Sequence, residues 1–168
     1  MLRYWRIAAA ALALATSLGT TTAVAAQSMS DEAQIRALED KFIAAFKAKD
    51  VEAIMKGYAH GVFVFDVIPP RQYVGADAYR KDWTSLLADF KGPLHADISD
   101  LVIETDGPFA WSHSIQHYAG VTTDGQSVEQ TVRVTDVYHK EGGQWLIVHE
   151  HVSVPVDMSG KPDMLSKP

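Results

Sequence analysis

From His95 onward the chain alternates long runs rich in β-branched and aromatic residues with three turn signals, Asp106-Gly107-Pro108, Asp124-Gly125 and Gly142-Gly143. Glycine supplies the positive φ that tight hairpin turns need, so consecutive runs are expected to fold back on one another as an antiparallel meander. The preceding segments carry a different period. In SDEAQIRALEDKFIAAFKAKD, residues Ile35, Leu38, Phe42 and Phe46 recur at spacings of three and four, which makes one apolar stripe on a helix. Ser30 is placed to cap that helix, Asp31 and Glu32 suit its positive end, and Lys47 and Lys49 its negative end. Asp50 reads as the cap of a shorter second helix, VEAIMKGYA. GVFVFDVIPP reads as a strand stopped by two prolines, and ADAYRKDWTSLLADF as a third helix with Tyr79, Trp83, Leu86, Leu87 and Phe90 on one face. Helices first and strands afterwards is the order of an α+β domain whose helices gather on one face of a curved antiparallel sheet.

The N-terminal residues stand apart from this pattern. Arg3 and Arg6, an apolar run from Ile7 to Leu18 and the small residues Ala23-Val24-Ala25 follow the order of a secretory signal peptide. The run is short of the ~20 residues a spanning helix needs, so the expectation is cleavage after Ala25 and a periplasmic or secreted protein with no membrane insertion. The roughly 140 residues that remain suit one domain, over 26–155, followed by a polar, proline-containing tail over 156–168 that is expected to be loose. The chain has no cysteine, so packing rather than disulfides must hold the fold, and thiolate chemistry is excluded. Its formal charge of −6 includes Arg3 and Arg6, so the mature protein is more acidic still. An acidic chain without a basic run is a poor nucleic-acid binder.

The closing stretch, GGQWLIVHEHVSVP, sharpens the expectation about the sheet. Strict alternation puts Leu146, Val148, Val152 and Val154 on one side, and Trp145, Ile147, His149, His151 and Ser153 on the other, with Glu150 pointing away from the two histidines. Neither side reads as a solvent face. One is expected to be covered by the helices and the other by a second subunit, which implies a homodimer.

The strings KFIAAFKAKDVEAIMKGYAHGVFVFD, YVGADAYRKDW and GGQWLIVHEHVS, in this order and over nearly the whole mature chain, resemble the nuclear transport factor 2-like (NTF2-like) superfamily, particularly its SnoaL-like and ketosteroid-isomerase-like branches. The last string is also similar to the end of the calcium/calmodulin-dependent kinase II association domain. The resemblance implies a cone: a strongly bent sheet wrapped over three helices, with a pocket between them. It does not fix the function, because the superfamily holds isomerases, dehydratases, cyclases, transport adaptors and assembly hubs.

Several residues could carry chemistry in such a pocket. Asp66 shares its strand side with Val62 and Val64, and a lone carboxylate among apolar groups must be solvated, paired or used. The resemblance places it where the isomerases keep their general base; the plainer reading is a solvated aspartate capping the Pro69-Pro70 turn. Asp136, flanked on its face by Val132, Val134 and Tyr138, resembles the second isomerase aspartate, which stays protonated to donate a hydrogen bond. The plainer reading there is an ion pair with Arg133 or a histidine. Phe42 falls where the isomerase tyrosine would be and cannot donate, which leaves Tyr58, Tyr73 or Tyr118 to approach from elsewhere.

His149 and His151 lie two apart on one strand, so both rings can share one space. Three readings remain for them: metal ligands, neutral imidazoles lining a pocket, and packing at an interface. A third ligand at motif spacing is lacking, so no metal is expected, and His151 becomes the acid–base partner of Asp66. Arg133, Trp83 and Trp111 complete the candidate ligand contacts with Tyr58 and His149, although tryptophans of this kind are more often core. The function expected from these residues is binding of a small, largely apolar or carbonyl-containing molecule, with Asp/His acid–base catalysis of the isomerase, dehydratase or cyclase type and no cofactor. The alternative is a non-catalytic binding or association module of the same shape.

Overall fold

The computed structural model describes residues 29–162; the expected signal peptide, residues 1–25, lies outside the described residues, as do the tail residues 163–168. Three helices and six strands follow in the order α1 (Asp31–Ala48), α2 (Val51–Met55), β1 (Tyr58–Phe65), β2 (Tyr73–Val74), α3 (Ala76–Ala88), β3 (Phe90–Asp106), β4 (Phe109–Thr122), β5 (Ser127–Glu141) and β6 (Gln144–Ser153). The α+β architecture is the expected one. The strands form a single sheet in the order β2-β1-β6-β5-β4-β3, antiparallel throughout except where β1 lies parallel to β6.

Local chemistry sets the helix ends. The Ser30 hydroxyl accepts from the Ala33 amide, the Asp50 carboxylate from the Ala53 amide, and Lys49 closes α1 in the left-handed conformation. Helix α2 is shorter than VEAIMKGYA suggests. The Gly57 carbonyl accepts from the Ile147 amide, and Tyr58 pairs with Ile147, so the sheet takes residues that local propensity leaves open. At the far end of α3 the same competition makes Phe90 the first residue of β3 instead of the last of a helix.

The α1 stripe buries Ile35, Ala45 and Phe46 against the concave face of the sheet, with Leu38 and Phe42 half-buried beside them. Helix α3 contributes Tyr79, Trp83 and Leu87 to the same core, where Trp83 meets Phe42 and Phe46 edge-on at ring separations of 5.7 and 6.1 Å. Gly120 permits the closest approach in this wall. A Cβ there would stand 2.6 Å from Leu94 Cδ2 and 2.9 Å from Phe90 Cδ1.

Strand β6 breaks the expected alternation. Tyr138 pairs with Ile147, but the next partner of β5, Val137, pairs with His149, so Val148 is one extra residue on β6. Trp145 and Ile147 point inward as expected. Beyond the bulge the parity reverses, and Glu150 and Val152 take the inner positions while His149 and His151 turn to the convex face.

Candidate functional site

Between the helices and the concave face lies a cavity of about 120 Å³. Its walls are mostly apolar and aromatic, with Phe42, Phe46, Trp83, Phe90, Tyr118 and Val134 among the lining groups. Four carboxyl groups also line it, Glu39, Asp66, Asp136 and Glu150, while among the described residues no lysine, arginine or histidine does.

The sheet register builds the deep end. Ser112, Asp136 and Glu150 are successive cross-strand partners on β4, β5 and β6, so their side chains form one polar row on the inner face. Tyr138 stands two residues along β5 from Asp136. Its hydroxyl donates to Glu39 Oε1 (2.7 Å), which leaves the Ser112 hydroxyl, at 2.8 Å, as donor to the tyrosine oxygen. Glu150 is the better-served acid. It accepts from the Tyr58 hydroxyl at Oε2 (2.7 Å) and from the Tyr79 hydroxyl at Oε1 (2.6 Å).

Asp136 is the cross-strand partner of Glu150, and its Oδ2 lies 3.4 Å from the Tyr138 hydroxyl. Its Oδ1 is buried with no donor from any hydroxyl, amide or cation. Two ionised carboxylates side by side in an apolar site repel strongly, which favours the neutral form of each. Burial, followed by the charges of Glu150 and Glu39, pushes the Asp136 carboxyl well above the usual range. Burial also raises Glu150, against the pull of its two tyrosine donors, to about 7. Both acids of the pair are thus shifted toward the protonated form, and they titrate together rather than singly.

Asp66 follows the end of β1 and is half-buried. Oδ1 accepts from the Val67 amide (2.6 Å), and Oδ2 lies 3.3 Å from the Tyr79 hydroxyl. Burial raises its pKa, the Val67 hydrogen bond opposes the rise, and the charge of Asp82 adds to it. Asp82 is in turn held by the Tyr73 hydroxyl at 2.6 Å.

The structure thus brings together Asp66, Asp136, Tyr58 and Trp83 from the expected set, and it places the other four outside the cavity. His151 is exposed on the convex face opposite Thr135; His149 is half-buried there and donates from Nδ1 to the Phe63 carbonyl (2.8 Å). The Val148 bulge is the physical reason for both corrections, and the two rings do share a space, each 5.6 Å from Phe65. Arg133 is exposed on the same outer face, and Trp111 is 45% exposed, stacked on His113 at 5.6 Å. Asp136 makes no ion pair with Arg133, because side chains alternate along a strand and positions three apart point to opposite faces. Among the described residues no group of three His, Asp or Glu is arranged to hold a metal.

Three members of the site were not singled out by sequence. Glu39 lies four residues after Ile35 and three before Phe42, inside the α1 stripe, and that position was a readable sign of burial. Tyr79 stands on the apolar face of α3 and reads as core until its hydroxyl is located. Glu150 was assigned outward because nothing in GGQWLIVHEHVS announces the extra residue.

A bent sheet closed by N-terminal helices around a cavity at its concave face is the NTF2-like architecture. The SnoaL-like domain model matches residues 35–157, and the chain belongs to that family. Among solved structures, an NTF2-like protein of unknown function from Pseudomonas putida is 30% identical, with a TM-score of 0.73 over 84% of this chain and 100% of its own. A ketosteroid isomerase-like protein from Erwinia carotovora atroseptica is 19% identical (TM-score 0.63, over 74% of this chain and 97% of its own). A proposed dehydratase of the NTF2-like family from Streptomyces avermitilis is 16% identical (TM-score 0.63, over 73% and 95%). The last two establish likeness of fold. No curated protein matches the sequence.

Proposed function

We propose that this protein binds a small, largely apolar, carbonyl-containing molecule in the cone cavity and transfers a proton on it without a cofactor, in the manner of an isomerase or dehydratase. Asp66 is the base, and the Asp136–Glu150 pair provides protonated carboxyl in the depth of the site. The observation that carries this reading is the meeting of a half-buried carboxyl, Asp66, with two buried neighbouring acids, Asp136 and Glu150, in one mostly apolar cavity that no lysine, arginine or histidine among the described residues lines. One acid ionised and another kept neutral by its surroundings is the division that general acid–base chemistry near neutral pH requires. His151 has no part in it; Glu150 takes the place that the sequence assigned to the histidine. The names of the isomerase-like and dehydratase neighbours point the same way.

The test is α-proton exchange of a simple ketone such as cyclohexanone in D₂O, followed by NMR. Wild-type protein should accelerate exchange at least ~10²-fold more than Asp66→Asn, which keeps the shape and removes the base. Equal rates for the two proteins would leave the competing reading, a non-catalytic binding module, which the phenylalanine at position 42 favours.

The same proposal includes an exported homodimer. Phe65, Val102, Phe109 and Trp111 are 39–53% exposed on or beside the outer sheet face, and a paired subunit would cover them. Light scattering at micromolar concentration should give twice the chain mass, and Trp111→Glu should halve it. Mass spectrometry of the exported protein should find Ala26 or Gln27 as its first residue.

A further inference from the structure

We infer that Tyr79 is a proton relay that carries the proton taken up by Asp66 inward to Glu150, so that the base facing the ligand is regenerated from the buried side of the cavity. The inference rests on the acid–base reading of Asp66 given above. Tyr79 arrives from α3, Asp66 from the end of β1 and Glu150 from β6, so three separate elements converge on one phenolic oxygen. That oxygen is 2.6 Å from Glu150 Oε1 and 3.3 Å from Asp66 Oδ2. A phenol has a single proton to donate, and the shorter contact claims it for Glu150. The longer contact, from the Tyr79 hydroxyl to Asp66 Oδ2, puts the same oxygen within reach of a proton that arrives on Asp66.

The transfer balances without any other reactant. The Asp66 O–H bond breaks as a new bond forms to the Tyr79 oxygen, and the original Tyr79 O–H bond breaks as its proton passes to Glu150 Oε1. Tyr79 ends neutral, Asp66 ends as carboxylate and Glu150 ends protonated beside Asp136; the same two transfers in reverse return the proton to Asp66 for delivery to the ligand and leave Glu150 as carboxylate. The groups facing this path are all acids or phenols: Tyr58 from β1, Tyr73 from β2, Tyr138 and Asp136 from β5, Tyr118 from β4, Glu39 from α1 and Asp82 from α3. With no cation among the described residues lining the cavity, nothing fixes the proton at one station. Packing holds the phenol in place, since the Tyr79 ring stands 5.3 Å from Tyr58 and 5.6 Å from Trp83.

Tyr79→Phe keeps the ring and removes only the relay atom. In protein labelled with ¹³C at the aspartate and glutamate carboxyls, the Asp66 signal of the wild type should show its own titration and a second step at the midpoint of Glu150. In Tyr79→Phe the amplitude of that second step should fall below half, because only the through-space field of Glu150 remains. An amplitude of half or more would overturn the relay, and this result is independent of whether any substrate turns over. In the ketone exchange assay, Tyr79→Phe should lose the rise in rate through Glu150's midpoint while keeping the rise belonging to Asp66; a purely structural tyrosine would lower the whole profile and leave both rises in place. If Tyr79→Phe does not fold, Tyr79→Met, which also lacks the hydroxyl, serves in the same carboxyl titration, and a second step of half the wild-type amplitude or more would again overturn the relay.

Discussion

Replacing Glu150 by glutamine should change how the stability of the protein depends on pH, in a direction that the cavity dictates. In the unfolded chain the Glu150 carboxyl titrates at its ordinary 4.5; in the fold burial holds it at about 7. Between those values the folded state keeps a proton that the unfolded state has released. Stability from this group is thus fully present below about pH 4.5 and is lost as pH rises through 7. The separation corresponds to roughly 3 kcal/mol at about 1.4 kcal/mol per pH unit, an order-of-magnitude figure because Asp136 shares the titration. For a chain of this size that is about 10 °C in Tm. Asp66, Asp136 and Glu39 are raised as well, and His117 is raised by Glu129, so every one of these groups adds to the decline in the same sense. Urea or thermal unfolding at pH 5 and pH 8 should show the wild type distinctly less stable at the higher pH. Glu150→Gln cannot titrate, yet its carboxamide can still accept from Tyr58 or Tyr79, so the pH 5 to 8 loss should shrink by about the amount assigned to Glu150. A variant that loses as much as the wild type, or a wild type that gains stability toward pH 8, would refute the placement of a raised acid pair in the core.

Other expectations can be checked with simple probes. Benzyl alcohol should bind the cavity at least tenfold more tightly than benzoate at pH 8, by calorimetry, because four acids and, among the described residues, no base line the site. Gly120→Ala should lower stability by roughly 1–3 kcal/mol and reduce probe binding, since the new methyl forces Phe90 and Leu94 to shift. Removal of the α1 cap in Ser30→Ala should cost about 1 kcal/mol in urea unfolding and leave ligand binding unchanged. His151→Ala should leave ketone exchange within about twofold of wild type; a loss of tenfold or more would return the ring to the cavity.

The fold was legible in the sequence because its signals are local. The Ile35–Phe46 stripe, the caps at Ser30 and Asp50 and the three glycine turns each act within a few residues, and helix α1, the start of α2 and the hairpins joining β3 to β6 stand where these put them. Asp66 and Asp136 could also be read, since their strand neighbours Val62, Val64, Val132 and Val134 alternate without interruption up to them. What could not be read is non-local. The bulge at Val148 arises from simultaneous pairing with β5 and β1, and the short α2 from Gly57 and Tyr58 joining β6. The role of Tyr79 depends on three elements distant along the chain meeting at one hydroxyl.

The extra residue on β6 has a consequence for reading the history of this site. Because inward and outward positions alternate, gaining or losing one residue near Val148 exchanges the entire register of side chains beyond it. A single-codon deletion would send Glu150 to the convex face and bring the imidazoles of His149 and His151 toward the cavity, replacing a carboxyl of the chamber wall by ring nitrogens that can both donate and accept. Two descendants of one gene could therefore differ in the chemistry of the chamber while every residue of VHEHVS stays the same. Comparisons along this strand are meaningful only when columns are matched by the side they face, and a one-residue gap there weighs more than several substitutions elsewhere in the wall.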